Sequence, residues 1–386
     1  MPSYLHPGVY MEEVPSGARP IESVGTSTAA IIGFTLFGEA FEPELIFSWR
    51  DYQEKFGGIM NFALLDPDYM GHTVKSYFEN GGGKAYIVPV RDENDPEIAK
   101  ISFGTLFAVD IEAAQLGAWG NEIEVEITGT LISYTITVSQ KIDNLPVILE
   151  IIEDVTDTNY ETVVNSSSNY IRINSIDPPV AGTESAKLSG GKGDVSVSST
   201  DYTTAFDKLR KLRDINIILL PDHQLENPSG SSKTIIDNAV SHAEDMETCM
   251  VLIDPPGGQY ADTDEMTKAT DVSDLSPPSS PYTTMYYPWV EVSNPHYHAE
   301  LRPSLKKSYL VPPSGFAAGL WARTDRLRGV YKAPAGLSST INGALRTEFV
   351  VGNDEQDQLN PEGVNCIRKI LTTPVIWGAR TLATKA

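Results

Sequence analysis

The sequence predicts an α/β (α+β) core domain that is discontinuous along the chain, with an inserted, mostly antiparallel β domain and an extended N-terminal arm. Three observations predict this arrangement. A strand–helix–strand order comes before residue 100, and alternating helices and strands are again predicted after residue 200. Short stretches of alternating apolar and polar residues lie between these two parts. Strands that alternate with helices indicate a parallel sheet, whereas short alternating strands separated by turns indicate an antiparallel one.

The first 22 residues are predicted to form the arm. They contain four prolines and little that could form a core. Each proline disfavours helix and biases the preceding residue towards extended backbone. The stretch that could pair as an edge strand with another sheet is Pro7, Gly8, Val9, Tyr10 and Met11. We therefore expect residues 1–22 to be extended and to seek partners outside their own chain.

The first part of the core is predicted in residues 23–103. Residues 28–37 are an apolar run of strand length, a helix is expected from Asp68 to Glu79, and a strand from Ala85 to Val90. The glycine-rich turn at residues 80–83 ends the helix. This β-α-β order predicts two parallel strands in one sheet.

Residues 104–200 have a different sequence pattern, with short alternating stretches and no helical periodicity, and are predicted to form the inserted β domain. Apolar residues alternate with glutamates around residues 123–127, and further strands are expected in residues 131–138, 147–152 and 170–173. Turns rich in Ser, Asn, Gly and Asp separate these stretches, and no helical pattern interrupts them. The pattern is typical of antiparallel strands.

The core is predicted to resume in residues 201–310. Helices are expected at Thr203–Arg213 and Lys233–Glu247, each followed by an apolar strand, at Ile215–Leu220 and Met250–Ile253. Alternating helices and strands again predict a parallel sheet, which we expect to be continuous with the first part.

A long exposed loop and a C-terminal region complete the chain. Residues 255–285 are rich in Asp, Ser, Thr and Pro and are predicted to form the loop. Within residues 311–386 we expect one helix at Phe316–Leu327 and a second at Pro361–Ile370. Asn360 as the cap and Pro361 in the first turn favour the second helix.

Composition excludes several classes of protein. The chain has 52 acidic and 29 basic residues in 386, a formal net charge of −23, which disfavours binding to nucleic acids and to anionic membranes. No apolar run reaches the roughly 18 residues of a spanning helix, so no membrane insertion is expected. The N-terminus has neither the basic nor the apolar region of a signal peptide. Two distant cysteines predict buried thiols in a reducing compartment.

Charge is unevenly distributed along the chain. Residues 91–200 hold 18 acidic and 6 basic residues, a net charge of −12, whereas residues 301–350 hold eight basic and two acidic residues, a net charge of +6. Each segment could simply be a solvated surface. Alternatively, the basic segment of one copy could contact the acidic module of another, in which case high salt should weaken assembly.

Candidate catalytic residues are few. Asp222 and Asp254 follow predicted parallel strands, where α/β enzymes place ligand-binding acids, although each could instead cap the turn before the next helix. His296, His298 and Glu300 could form half of a metal site, but the sequence offers no well-spaced third and fourth ligands, so surface histidines in a loop are the favoured account. The glycine-rich stretch at residues 81–84 does not have the spacing of a phosphate loop. The sequence predicts no catalytic, cofactor or metal site.

Several long sequence motifs are more informative about function than the candidate catalytic residues. Early in the chain they are residues 6–13 (HPGVYMEE), 78–88 (FENGGGKAYIV), 117–123 (GAWGNEI) and 286–289 (YYPW). Later they are residues 311–319 (VPPSGFAAG), 322–325 (ARTD), 328–335 (RGVYKAPA), 355–368 (EQDQLNPEGVNCIR) and 375–382 (VIWGARTL). In these strings and in their order, over essentially the whole chain, the sequence resembles the contractile tail sheath proteins of bacteriophages and of phage-tail-like injection systems.

The resemblance implies roles for particular residues and segments. The inserted domain would face outwards, and the arm at residues 1–22 would link neighbouring subunits. In the family a further segment of helices and a strand follows the last string, so residues 311–386 are expected to lack that final segment. The motif set that the resemblance implies consists of Trp119, Gly120, Asn121, Pro312, Pro313, Gly315, Arg323, Asp325, Arg328, Gly329, Lys332, Pro334, Gln356, Asn360, Asn365, Arg368, Trp377, Gly378 and Arg380.

The resemblance also implies a function and a set of partners. The chain would be a structural, non-enzymatic subunit of a six-fold helical polymer that contracts from a metastable extended state and drives an inner tube through a target envelope. Its partners would be other sheath subunits, identical or paralogous, the inner tube protein, and baseplate and terminator proteins, without a cofactor. It would be made in the bacterial cytoplasm and become part of a virion tail or an injection particle.

Two alternatives remain at the level of sequence. One is a non-contracting sheath paralogue at a collar or near the baseplate. The other is a soluble α/β enzyme that uses Asp222 and Asp254.

Overall fold

The computed structural model describes residues 27–59, 67–91, 97–142, 145–192, 197–225, 230–257, 265–370 and 372–383. The predicted arm, including Pro7–Met11, lies outside the described residues. The strands are β1 Ala29–Gly33, β2 Glu44–Ile46, β3 Ala85–Pro89, β4 Lys100–Phe103, β5 Val109–Ala113, β6 Ile123–Gly129, β7 Tyr134–Ile142, β8 Leu145–Val155, β9 Ile171–Ile176, β10 Gly182–Lys187, β11 Ile217–Gln224, β12 Met250–Asp254, β13 Thr283–Tyr287, β14 Val290–Ser293, β15 Ser308–Val311, β16 Arg346–Thr347, β17 Val364–Lys369 and β18 Pro374–Ile376. The α-helices are α1 Trp49–Phe56, α2 Tyr69–Glu79, α3 Ser199–Leu209, α4 Ser231–Met246, α5 Ala269–Asp274, α6 Ser314–Arg328 and α7 Asn353–Leu359.

The largest sheet is mixed and has the strand order β18-β17-β13-β12-β11-β1-β3-β2. Its inner pairs are parallel, whereas β2 and β18 run antiparallel at the two edges. The sheet therefore combines strands from before residue 90 with strands from after residue 216. The protein has a mixed α/β fold.

Helices cover both faces of this sheet. Because successive side chains of a strand point to opposite faces, Ile32 of β1 packs in one apolar cluster with α3 and α4, and Ile31 packs in another with α1, α2 and α6. Strand β1 has the uniformly apolar sequence AAIIG and is fully buried, as is typical of parallel strands covered on both faces.

A third apolar cluster lies among strands β4 to β10. These strands form two antiparallel sheets, β4-β5-β9 and β10-β6-β7-β8. The alternation predicted around residues 123–127 is confirmed, because Ile123, Val125 and Ile127 are buried and Glu126 is exposed. The predicted strand at residues 131–138 is wrong at its start, since residues 130–133 form the turn between β6 and β7.

Two predictions in the later part of the chain are wrong. Residues 361–370 do not form a helix: a short 3-10 turn ends at Gly363, which has φ of 90°, and β17 follows. The buried run Val364–Ile367 pairs in parallel with β13, so tertiary packing outweighs the helix-start signals. Residues 255–285 are not simply an exposed loop, because they contain α5 and the start of β13, and Met266 and Val272 are buried.

Other elements differ from the prediction only at their ends. The helix predicted from Thr203 begins at Ser199, where Ser198 and Asp201 form a capping box. None of the helices in the described ranges is both long and apolar enough to cross a membrane.

Candidate assembly site

A buried carboxylate from the central sheet holds the N-terminus of α6. Asp254, at the end of β12, accepts hydrogen bonds from the backbone N–H of Ser314 at 3.0 Å and from its hydroxyl at 2.7 Å. The first N–H groups of a helix have no partner within it, so an acceptor here stabilises the helix start. Pro312 and Pro313, from the predicted motif set, immediately precede this first turn.

The Asp254 carboxylate makes stability depend on pH. Burial raises its pKa to about 7, although the hydrogen bonds from Ser314 act in the opposite direction. An aspartate in the unfolded chain titrates near about pH 4, so between about pH 4 and 7 only the folded state keeps the proton. The free energy of unfolding therefore falls as the pH rises through this window. Asp254→Asn keeps the shape of the side chain without its charge. We expect this variant to lose up to about 4 kcal/mol less free energy of unfolding than the parent over this pH window.

Urea unfolding of the parent and of Asp254→Asn, measured between about pH 4 and 8, checks this expectation. Comparing the two proteins at each pH cancels shared contributions, including that of Asp222, whose pKa burial raises to about 6. Stability curves that stay parallel over the whole range would contradict it.

Helix α6 packs so closely on α2 that only glycine fits at two positions. A Cβ atom on Gly315 would lie 2.7 Å from a backbone oxygen of α2, and one on Gly319 would lie 2.5 Å from another. Beyond α2 the chain turns at Gly81, where φ is 119° and a Cβ atom would lie 2.6 Å from the Cβ of Arg323. Gly315 and Arg323, both in the motif set, therefore belong to this helix–helix contact.

The Trp119–Asn121 motif closes the base of the antiparallel module. The side-chain amide of Asn121 donates to the carbonyl of Gly191 at 2.9 Å and accepts from its N–H at 2.9 Å. Gly120 packs against Ala99, where a Cβ atom would lie 2.6 Å from the Ala99 Cβ. The motif thus joins the chain entering the module to the chain leaving it.

Phe37 and Arg91 connect this module to the large sheet, and sequence reasoning did not single them out. The ring of Phe37 makes edge contacts with Trp119 at 5.5 Å and with Tyr170 at 5.4 Å between centroids. The buried Arg91 guanidinium donates to the Leu36 carbonyl at 3.0 Å and to the Gln115 side chain at 3.2 Å. No local pattern reveals such residues, because their partners are distant in sequence.

The last two motif strings are held together by Asn365. This buried side chain donates to the Arg380 carbonyl at 2.8 Å and accepts from the Arg380 N–H at 2.7 Å. It also donates to the hydroxyl of Thr284 on β13 at 2.8 Å. A Cβ atom on Gly378 would lie 2.8 Å from the Asn365 Oδ1, so only glycine fits there. Because the amide bridges β17, β13 and the Arg380 backbone, its loss would remove three hydrogen bonds and take this acceptor from the Arg380 N–H.

A second link joins α7 to the same strands. The Arg368 guanidinium donates to the Gln356 Oε1 at 2.7 Å, and the Gln356 amide donates to the Trp377 carbonyl at 2.6 Å. Asn360 lines the same polar cavity of about 460 Å³ as these three residues. The motif residues from Gln356 to Arg380 therefore form one cluster.

A larger groove lies beside the C-terminal end of α6. Its volume is about 500 Å³, and its lining includes Asp325, Lys332, Pro334 and Arg380 of the motif set. Arg328 and Gly329 stand at the turn that leads into it, where Gly329 has φ of 97°. The structure thus collects the motif residues in three places: the base of the antiparallel module, the α2–α6 contact with this groove, and the Asn365 cluster.

The two candidate catalytic aspartates act as structural acceptors. Asp222 accepts from the N–H of Phe34, just after β1, at 3.0 Å, and Asp254 holds α6. Among the described residues, the next helices along the chain are capped by Gly230 and Lys268, and both carboxylates are bonded to segments distant in sequence. The reason is that the parallel sheet brings distant segments to the ends of β11 and β12. His298 accepts backbone N–H groups from Glu300 and Leu301 through Nδ1, in a turn rather than a strand.

In these clusters the characteristic residues hold backbone segments together. Residues 196–382 match the sequence model of the phage tail sheath protein central domain. The matched segment holds 187 of the 386 residues, a little under half of the chain, and it is similar to that domain. No curated protein sequence matches the chain significantly.

Solved structures share the fold at low sequence identity. The sheath tail protein of Desulfitobacterium hafniense is 12% identical, with a TM-score of 0.62 over 98% of this chain and 76% of that chain. The sheath tail protein of Listeria innocua is 14% identical, with a TM-score of 0.54 over 93% and 70%. The helical sheath of the anti-feeding prophage in its contracted state is 19% identical, with a TM-score of 0.50 over 99% and 70%.

Proposed function

We propose that this chain is a structural subunit of the contractile sheath around the inner tube of a phage tail or a phage-tail-like injection system. The observation that carries the proposal is the family match over residues 196–382. The likeness in fold to a contracted helical sheath supports it, since that likeness extends over 99% of this chain.

The proposed mechanism is a change between two packings of the same subunits. Copies assemble into a helical polymer with six-fold symmetry, first in a metastable extended state and then in a shorter, wider contracted state. The difference in free energy between the packings drives the inner tube through a target envelope, so no cofactor or catalytic residue is required. The glycine contacts between α2 and α6 and the Asn365 cluster favour a subunit that moves as a rigid body.

The proposed division of labour follows the chain. Residues 1–22 are the linking arm, residues 23–103 and 201–310 are the core, residues 104–200 are the outer domain, and residues 311–386 are the C-terminal sheath region. The proposed partners are other sheath subunits, the inner tube protein, and baseplate and terminator proteins. The protein would be made in the bacterial cytoplasm and incorporated into the virion tail or injection particle.

Negative-stain electron microscopy of the purified protein tests the proposal. We expect striated tubes, because head-to-tail contacts that do not close into a ring generate a helix. Particles that stay monodisperse at every protein concentration and ionic strength would contradict a polymerising sheath. That result would favour the non-contracting paralogue.

A further inference from the structure

Two aliphatic side chains project from the turn between β6 and β7. Leu131 and Ile132 are each 82% exposed. Hydrogen bonds of Thr130 fix the turn: its hydroxyl accepts from the N–H of Ile132 at 3.2 Å and of Ser133 at 3.0 Å, and donates to the Ser133 carbonyl at 2.9 Å. A fixed turn that presents adjacent large apolar side chains to water is a candidate contact surface, because their burial would be favourable.

Two further exposed apolar residues lie at the same end of the module. Gly182, the first residue of β10, pairs with Gly129, the last residue of β6, so the segment that carries Val180 reaches the β6–β7 turn. A Cβ atom on Gly182 would lie 3.2 Å from a methyl carbon of Leu106, which brings the β4–β5 loop to the same place. We call the exposed residues Leu106, Leu131, Ile132 and Val180 the apolar tip.

Exposed carboxylates surround the apolar tip. Asp157 and Asp177 are close enough to the Tyr134 hydroxyl to raise its pKa, after the larger effect of burial. Asp154 faces the Ser133 hydroxyl at 3.5 Å. Within the described ranges, none of these three aspartates forms an ion pair. The tip is therefore apolar at its centre and negative at its rim.

A surface of opposite charge stands at the C-terminal end of α6. We call it the basic knob, and it consists of Arg326, Leu327, Arg328, Val330, Tyr331 and Lys332. All six are exposed, and Tyr331 is the most exposed of its apolar residues at 87%. Arg328 and Lys332 have no ion pair among the residues that the structure describes. The turn at Gly329, closed by the Lys332 N–H to the Gly329 carbonyl at 3.1 Å, shapes the knob.

We propose that the apolar tip of one copy docks on the basic knob of a neighbouring copy of this chain. Both surfaces are exposed in the same molecule, so they are not partners within one chain. Tip on tip and knob on knob would bring like charges together, whereas tip on knob pairs opposite charges around two apolar centres. The contact is therefore heterologous, and heterologous contacts that do not close propagate as a helix. The inference rests on the proposed function and names one contact of the polymer.

Cysteine cross-linking of two full-length variants tests the contact. Ile132→Cys places a thiol on the tip and Tyr331→Cys places one on the knob, while the native Cys249 and Cys366 are buried. We expect a mixed disulfide dimer when the two variants are combined under mild oxidation, and little from either alone. Phe47→Cys, another exposed position, combined with Tyr331→Cys is the matched control. A mixed yield no higher than this control, or a dominant disulfide from Ile132→Cys alone, would overturn the inference.

Charge reversal provides a second readout. Arg328→Glu with Lys332→Glu should weaken association, and the yield of mixed disulfide, about tenfold, and high salt should have a similar effect. Pairing this knob variant with a tip variant that carries Asp157→Lys and Asp177→Lys should restore the yield. Lack of rescue would contradict the proposed pairing of charges. If tubes form but the mixed disulfide does not, this contact is refuted and the sheath proposal stands. If the mixed disulfide forms but tubes do not, the contact stands and the sheath proposal is contradicted.

Discussion

Deletion of residues 1–20 is expected to leave the fold intact and to abolish polymer formation. The described fold begins beyond the deletion, where the Ser27 carbonyl accepts from the Tyr77 hydroxyl at 2.7 Å and the Thr28 N–H donates to the Asn216 side chain at 3.2 Å. If the arm adds a strand to a neighbouring copy, as we propose, it supplies backbone hydrogen bonds and demands little of the side chains, so copies without the arm should lose their link. Electron microscopy measures the polymer, and circular dichroism with thermal unfolding measures the fold.

A full-length control separates the backbone of the arm from its length. Val9→Pro with Met11→Pro removes two N–H donors without shortening the chain, whereas Val9→Ala with Met11→Ala keeps both donors. If the arm adds a strand to a neighbour, the proline variant should lose polymers and the alanine variant should keep them. Tubes formed by the deleted protein would show that the arm is not the link.

Local sequence patterns were sufficient for most of the core. The apolar run at β1, the helix α2 with its glycine-rich end and the alternation in β6 each depend on neighbours close in sequence, so local patterns predicted them. The strand at β17 was missed because its helix-start signals were outweighed by parallel pairing with β13. That pairing joins segments about 80 residues apart, and no local signal reports it.

The candidate site was predicted as a set of residues but not as contacts. The resemblance singled out Asn365, Trp377 and Gly378, and the structure explains them as one cluster in which glycine and a buried amide allow close packing. The bridging contacts of Arg91 and Asn80 were not predicted, although both residues join distant segments. The Asn80 amide donates to the Asn342 carbonyl at 3.2 Å, and its oxygen accepts from the Asn342 N–H at 2.8 Å. Such bridges depend on tertiary structure, which a single sequence does not display.

Gly319→Val is expected to destabilise the protein strongly. A Cβ atom at this position would lie 2.5 Å from the Tyr77 carbonyl oxygen and 2.8 Å from the Asn80 Cβ, so a branched side chain would force α6 away from α2. Overpacking of this kind reduces the free energy of unfolding by about 3 kcal/mol, and separation of the helices would also disturb the apolar cluster that they share. Thermal unfolding and the yield of soluble protein measure the effect.

Gly83→Val is the matched control, because a Cβ atom at Gly83 would meet no heavy atom within 4 Å apart from its two chain neighbours. It introduces the same side chain a few residues beyond α2, where the chain has room for it, so its unfolding midpoint should remain close to that of the parent. If both variants were equally stable, the close approach of α2 and α6 would have no energetic importance. If only Gly319→Val were unstable, the glycine would be required by the packing of α6, because helix propensity alone favours its replacement.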